Sequence, residues 1–530
     1  MDEASEAAQD DGVPASPTDL PKVITIAPKG DILLEVTFET SKATLKAARA
    51  ALPKPRPAQR DPPGPQPLLL KPRVHLAYRV HLSTLKKHSR YFTNLLTDTR
   101  FQEARDIEST FRDLSLRNEK PADVDSDQLP RVRVVDDDEA TRSAGREDVF
   151  RDLLRILHGG GITTRPVTML YVATMAVMAD RFDCTAAVSR YLTTGLKFKW
   201  PATPQPKPSA DIEGMTSLTT SGEEILRQKA LVSWLFDHPL KFQAATRELV
   251  LYGSHAWAAV ADGDGDGAAG LEPVKQPESS RRDALWWYLP SELEEELHYR
   301  RTLILRTLAS VVGHFLRLYS SRARQCKLGY DSSAACDSFQ LGEMVKFFTA
   351  KNLLFLVNFS PSSQESIRDF AAVDVSSVLA ALRQSPHYQV DKNHTNCGLR
   401  SKITPILEYV QVMLSSNVVG VNLQAWKKES KATTWIAASG GAAESDRSKP
   451  AQEKEFSVGA AGGGDTKGPG REKVFRFTRS LAQDQRLRYE GAMAADRMAL
   501  ELFMAEAWDW TPEDDIGSGG REFATTKWLK

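Results

Sequence analysis

The sequence predicts an α+β chain, with a domain of short strands and helices first and an all-α helical region after it. Three observations carry that expectation. In residues 73–83, Val74, Leu76, Tyr78, Val80 and Leu82 alternate with His75, Ala77, Arg79, His81 and Ser83, the period of a strand with one buried face. In the second half, Leu293, Leu297, Ile304, Leu308, Val311, Phe315 and Leu318 recur at three- and four-residue steps, the stripe of a long amphipathic helix. Between such blocks lie stretches rich in Pro, Gly and Asp, at 49–72, 201–208, 262–282 and 437–470, which cannot continue helix or sheet.

The elements follow in order. Residues 1–20 are acidic and small, and are expected to be disordered. Residues 23–26 and 32–38 are strand-like. The proline-rich run 49–72 reads as an insertion between the first strands, or as a polyproline ligand for a partner's aromatic groove. After the 74–82 strand the period changes. Ser83 can cap a helix in which Leu85, Phe92, Leu95 and Leu96 share a face. Residues 104–130 are charged and read as irregular, a second insertion. Residues 132–135 form a short strand, followed by an acidic turn at 136–139. Helices are expected at 147–158, which Gly159 to Gly161 stop, and at 167–192.

A linker at 197–220 separates this first domain, 21–196, from a helical domain at 221–430. Ser221 with Glu224, and Ser291 with Glu294, have the spacing of capping boxes. Further helices are expected near 338–351, 363–384 and 404–415. A disordered linker at 431–472 precedes residues 473–530. There Met493, Leu500, Phe503, Met504 and Trp508 fit one more amphipathic helix, which docks on the helical domain or on a partner.

The first domain resembles a known family. His81, Leu85, Ser89, Tyr91, Phe92, Leu95 and Leu96 resemble the strand-to-helix segment of BTB/POZ domains. Residues 30–36 (GDILLEV) resemble that domain's first strand. Phe150, Leu153, Leu154, Ile156, Leu157, His158 and Gly159, and then residues 170–184, resemble its later helices. Residues 326–342 and 388–400 are similar to segments of fungal proteins that carry an N-terminal BTB domain and a helical second half with no assigned activity. The resemblance implies a protein–protein interaction module, either an adaptor that recruits clients to a cullin ubiquitin ligase or a regulatory scaffold, and a homodimer formed through the BTB domain. In cullin adaptors of this family a hydrophobic-x-Glu motif makes the contact, and Phe101 and Glu103 sit in the matching place. The alternative is that Phe101 packs on its own domain and Glu103 is solvated.

Composition bounds the rest. The chain has 530 residues, 41% of them apolar, enough for two or three cores. Lys plus Arg and Asp plus Glu each number 69, so no net field draws it to nucleic acid or to an anionic membrane. No apolar run is long enough to span a bilayer. The acidic start (MDEASEAAQDDG) lacks the order of a signal peptide, so a cytosolic or nuclear protein is expected.

The four cysteines are not a disulfide framework. Three of them, Cys326, Cys336 and Cys397, together with His394, have the ligand types of a closed structural zinc site. The nine residues between Cys326 and Cys336 are wider than usual for such a site. Buried thiols acting as small apolar groups are the other reading. Asp262, Asp264 and Asp266 imitate the start of a calcium loop, but position twelve is Pro273 where a Glu is needed. No nucleotide-binding, hydrolase or metalloprotease motif is present, and no enzyme is expected.

Overall fold

The computed structural model describes residues 21–51, 70–209, 214–257, 284–353, 356, 372–395, 397–428, 434–438, 473–478, 481 and 492–511. The fold is mixed α+β, with small sheets among many helices. Two compact units divide at Lys199 and Trp200, beside the Pro-rich run expected to mark the boundary.

The first unit is built on a four-stranded sheet ordered β1-β3-β2-β4. The strands are β1 (Lys22–Thr25), β2 (Ile32–Glu39), β3 (Arg73–Val80) and β4 (Arg131–Asp137). β3 runs antiparallel to β2 and parallel to β1, and β4 runs parallel to β2. β2 lies between two neighbours and is buried on both faces, which explains its near-continuous apolar run. Its one acidic residue, Glu35, is buried and paired with Arg131 at 2.9 Å and Arg133 at 3.4 Å.

Rings from every part of the unit meet behind the sheet. Phe150 lies 5.7 Å from Phe38, 5.5 Å from Tyr78 and 5.3 Å from Phe182, and Phe182 stacks on Phe92 at 5.5 Å. Such tilted and offset pairs are the favoured ring geometries.

Several local expectations are corrected. Ser83 does not cap. The helix after β3 starts at Leu82, and the Asp31 carboxylate, 51 positions away, accepts its first N–H at 2.7 Å. The helix is also broken in two, Leu82–His88 and Arg90–Thr97. Ser89 is extended at the break. Its hydroxyl accepts from the Phe92 N–H at 3.0 Å and donates to the Phe182 carbonyl at 2.6 Å.

Residues 104–130 are irregular only in their second half. Gln102–Leu116 is a helix that buries Ala104, Ile107 and Leu114 on one stripe and leaves its charges to solvent. The insertion expected at 49–72 begins inside another helix, Lys42–Ala51, and the proline-rich part at 52–69 lies outside the described residues. Asp136 and Asp137 belong to β4, not to a turn. The helix expected at 167–192 is interrupted after Arg181.

The second unit is helical. Thr220–Leu235, Pro239–Tyr252, Ser291–Ser320, Ser333–Ala350, Val375–Arg383 and Leu399–Leu414 enclose one apolar core. The Leu293-to-Phe315 stripe is buried as expected. The helices start before the expected capping serines, with Thr219 and Pro290 at the cap positions. Thr219 caps the first helix by accepting from the Gly222 N–H, and Glu224 accepts from Gln228. Glu294 turns inward to Arg227 at 2.7 Å and to Trp257 at 2.5 Å. Within 197–220, residues 207–208 pair with 216–217 as a minimal hairpin.

The C-terminal helix, Ala492–Phe503, docks on this core through Ala499, Leu502 and Phe503. Met493 is not on that stripe; it is exposed. A parallel pair of strands, Val474–Arg476 with Ala507–Asp509, follows the helix onto the core. Within the stretch expected as a linker, Trp435 is buried and stacks on Phe503 at 6.1 Å. Residues 1–20, most of 437–470 and the 262–267 loop lie outside the described residues.

Candidate metal centre

The spacing that looked too wide is resolved by a helix. Cys326 lies in the segment after Ser291–Ser320, and Cys336 lies in the first turns of Ser333–Ala350. The chain between them makes a turn, with Gly329 at φ +75°, a left-handed position that favours glycine. Asp337, next to Cys336, then reaches back. Its carboxylate accepts from the Gln325 N–H at 2.7 Å and the Cys326 N–H at 3.0 Å. One side chain therefore holds the two thiols in register.

His394 and Cys397 arrive from the other side. A turn at 391–394 is fixed by the Asp391 carboxylate, which accepts from the Asn393 N–H at 2.7 Å. Cys397 precedes Gly398, the residue that opens the Leu399–Leu414 helix. A Cβ on Gly398 would lie 3.2 Å from the Tyr388 carbonyl oxygen, so the chain passes closest where it has no side chain. The Cys397 carbonyl accepts from the Tyr319 hydroxyl at 2.8 Å, which ties this segment to the long helix.

The four side chains converge. Their ligand atoms all lie within 4.8 Å of one another. Cys326 Sγ is 3.3 Å from His394 Nδ1, and Cys397 Sγ is 3.9 Å from both Cys326 Sγ and His394 Nδ1. A tetrahedral ion with metal–sulfur bonds of about 2.3 Å and a metal–nitrogen bond of about 2.05 Å needs edges of about 3.5–3.8 Å. Three edges of the group, at 3.3 to 3.9 Å, lie close to that range, and the group could hold a metal ion. The sulfurs are too far apart for a disulfide, and all the cysteines are free. Cys326, Cys336 and His394 are buried, and Cys397 is half-buried.

The histidine is oriented for the task. Its Nε2 lies 2.8 Å from the Ser332 hydroxyl, and that hydroxyl donates to Asp391 at 3.3 Å. Ser332 therefore accepts from Nε2–H, and the Nδ1 lone pair faces the thiols. A hydrogen-bonded partner on the far nitrogen is the usual support of a ligating histidine.

The thiols are not equivalent. Burial, reinforced by the neighbouring thiols, pushes Cys336 up to about 12, and it raises Cys397 too. Burial also opposes ionisation of Cys326. The nearby Ser333 hydroxyl, the Leu328 N–H and the other two thiols outweigh it and hold Cys326 below the ordinary thiol range. A divalent cation would remove the mutual repulsion that keeps the other two protonated.

Phe101 and Glu103 lie in the first unit. Phe101 is the residue before the Gln102–Leu116 helix and is 43% exposed; Glu103 is half-buried in the first turn. Burial and the nearby Glu103 charge raise the Tyr91 phenol, against the pull of Arg181.

Sequence reasoning found the four residues of the group and missed their supports, Ser332, Asp337 and Asp391. The signals were present as an acid next to Cys336 and an acid three residues before His394. Among the described residues, no helix is long and apolar enough to cross a membrane. No family model matches the chain, and no curated protein and no solved structure is similar to it.

Proposed function

We propose that this protein is an interaction scaffold of the BTB type whose helical half is clipped by a structural zinc ion. The observation that carries the first part is the ring cluster of the first unit. Phe38 follows the segment that resembles the first BTB strand, and Tyr78, Phe92, Phe150 and Phe182 belong to the strand-to-helix segment and the later helices. Residues from three of the resembling segments, with Phe38 just after the other one, thus share one core, as one domain requires.

The exposed Phe101 beside Glu103 favours the adaptor form of this reading. An apolar anchor with a carboxylate at its rim suits a partner groove flanked by a donor. The test is light scattering on the full chain, alone and mixed with the N-terminal part of a cullin of the BTB-binding kind. The adaptor reading expects a stable complex that Phe101→Ala and Glu103→Ala abolish. No complex would leave a regulatory scaffold, and the mass of the free chain would report whether it dimerises.

The second part rests on the donor set. Three sulfurs and one imidazole fill a tetrahedral shell and leave no position for water or substrate, which suits a structural ion and not a catalytic one. Thiolate ligands must be reduced, which fits the cytosol or the nucleus. Zinc analysis of protein purified without added metal tests this: one ion per chain is expected, and none in Cys336→Ser.

A further inference from the structure

The loop that carries Cys326 reads SRARQCKLGY, and it is unusually basic for its length. Arg322, Arg324 and Lys327 are exposed, as are Lys392 beside the His394 turn and Arg400 just after Cys397. The ligand atoms of the two segments lie within 4.8 Å of one another. Each of these cations is one to four residues from a ligand, so its Cα is within about 15 Å of a ligand Cα. The site brings together two segments about 70 positions apart, and between them these segments carry the five exposed cations.

These charges are uncommitted. None of them forms an ion pair or a side-chain hydrogen bond among the described residues. Two nearby acids, Asp337 and Asp391, are turned to the backbone and to Ser332, which leaves Asp331 as the exposed carboxylate of the loop. Balanced net charge gave no reason to expect a polyanionic partner, but it says nothing about where the charges lie.

An aromatic ring completes the surface. Tyr330 is 50% exposed, and its ring lies 5.9 Å from that of His394, edge to face. One side of the ring is held by a metal ligand and the other is open to solvent. Leu328, 44% exposed, adds an apolar contact beside it. Cations that track a phosphate backbone around a fixed aromatic platform are the elements of single-strand recognition.

We propose that the metal-clipped loop binds single-stranded nucleic acid, with Tyr330 stacking on a base and the Arg322, Arg324, Lys327, Lys392 and Arg400 rim on its phosphates. This rests on the zinc reading above, since the ion holds both segments and the His394 ring that supports Tyr330. An acidic peptide would satisfy the cations but would leave Tyr330 and Leu328 without a reason to be exposed here.

The test is fluorescence anisotropy of a labelled single-stranded oligouridylate with the full-length chain, after its zinc content has been measured. Binding should weaken with salt at a slope of about −3.5 on logarithmic axes, near −0.7 for each phosphate contacted. Arg324→Glu combined with Lys327→Glu should weaken it at least tenfold, and Tyr330→Ala about fivefold or more. Both should keep their zinc and their thermal transition. Arg400→Glu, on a different segment, gives an independent probe if the loop variants fail to fold.

Absence of zinc would remove this reading together with the zinc reading. Zinc-loaded protein that binds no oligonucleotide would overturn the present one alone. So would binding untouched by all three variants, or equal binding of a duplex or of polyglutamate.

Discussion

The Arg146 guanidinium donates to the Asp136 carboxylate at 2.7 Å, and both side chains are almost wholly shut off from solvent. Arg146 also donates to the carbonyls of Ser143, Glu39 and Asp136, so one side chain fastens the ends of two strands to the start of a helix. Removing Asp136 strands the buried Arg146 charge, and removing Arg146 leaves Asp136 only the partly exposed Arg181, at 3.0 Å. Arg146→Ala should lower the stability of the first unit by about 3–5 kcal/mol. Arg146→Met paired with Asp136→Leu should cost less than either single change, read from urea midpoints.

The metal centre predicts a local response to chelation. If the proposed zinc is bound, its removal should loosen residues 322–332 and 388–398 and leave the first unit unchanged, because the four residues of the group all lie in the second unit. Hydrogen exchange with and without EDTA checks this. Cobalt in place of zinc should give the absorption bands of a tetrahedral thiolate site. An octahedral spectrum would count against the closed set.

Acid should weaken the first unit through His158. Its Nδ1 lies 2.8 Å from the Leu154 carbonyl and its Nε2 accepts from the His81 N–H at 3.0 Å, so the neutral ring fits and the cation does not. Burial is the main reason its pKa is lowered. Leu154 and Asp31 pull it up, and His81 and His88 push it further down. The folded state thus binds its proton later than the unfolded state. Stability is full above about pH 6.5 and falls as pH drops from there toward the folded value. His158→Gln should flatten that loss in denaturant midpoints between pH 8 and 5.

The second unit has a counterpart in His314. Burial, opposed by Asp509 and aided by Arg317 and Lys402, lowers it to about 4. Its contribution is therefore lost over the wider window from about pH 6.5 down to 4. His314→Gln should narrow the acid loss of the second unit without altering the first.

Trp510 predicts the weight of the C-terminal segment. It is buried against Phe475 and Phe477 and donates to the Ser310 hydroxyl at 2.9 Å. Trp510→Ala should destabilise the second unit by about 3–5 kcal/mol, measured by thermal or urea unfolding. A change below 1 kcal/mol would mean that the segment adds little.

What was legible in the sequence was periodic. β3 alternates and the 291–320 helix keeps one stripe, so both could be read directly. The Gln102–Leu116 helix was not legible, because its buried stripe is only Ala104, Ile107 and Leu114 among many charges. Helix starts failed for another reason. At Leu82 the capping carboxylate comes from Asp31, and Glu294 is drawn from its own N-terminus by a buried arginine. Distant partners override local capping signals, and spacing cannot see them. The metal ligands were legible as residue types, while the clamp by Asp337 depends on a helix returning along its loop.

The strand pairing of 474–476 with 507–509 also bears on synthesis. Ser310 and Trp510, which meet in the second core, are 200 positions apart. A ribosome adding about 5–20 residues per second takes about 10–40 s to cover that distance. Only over the last few seconds of that interval do the rings of Phe475 and Phe477, already made, await Trp510. The second unit is finished from its far end, so a stalled or truncated chain exposes its aromatic core to chaperones and proteases, however well its earlier helices have formed.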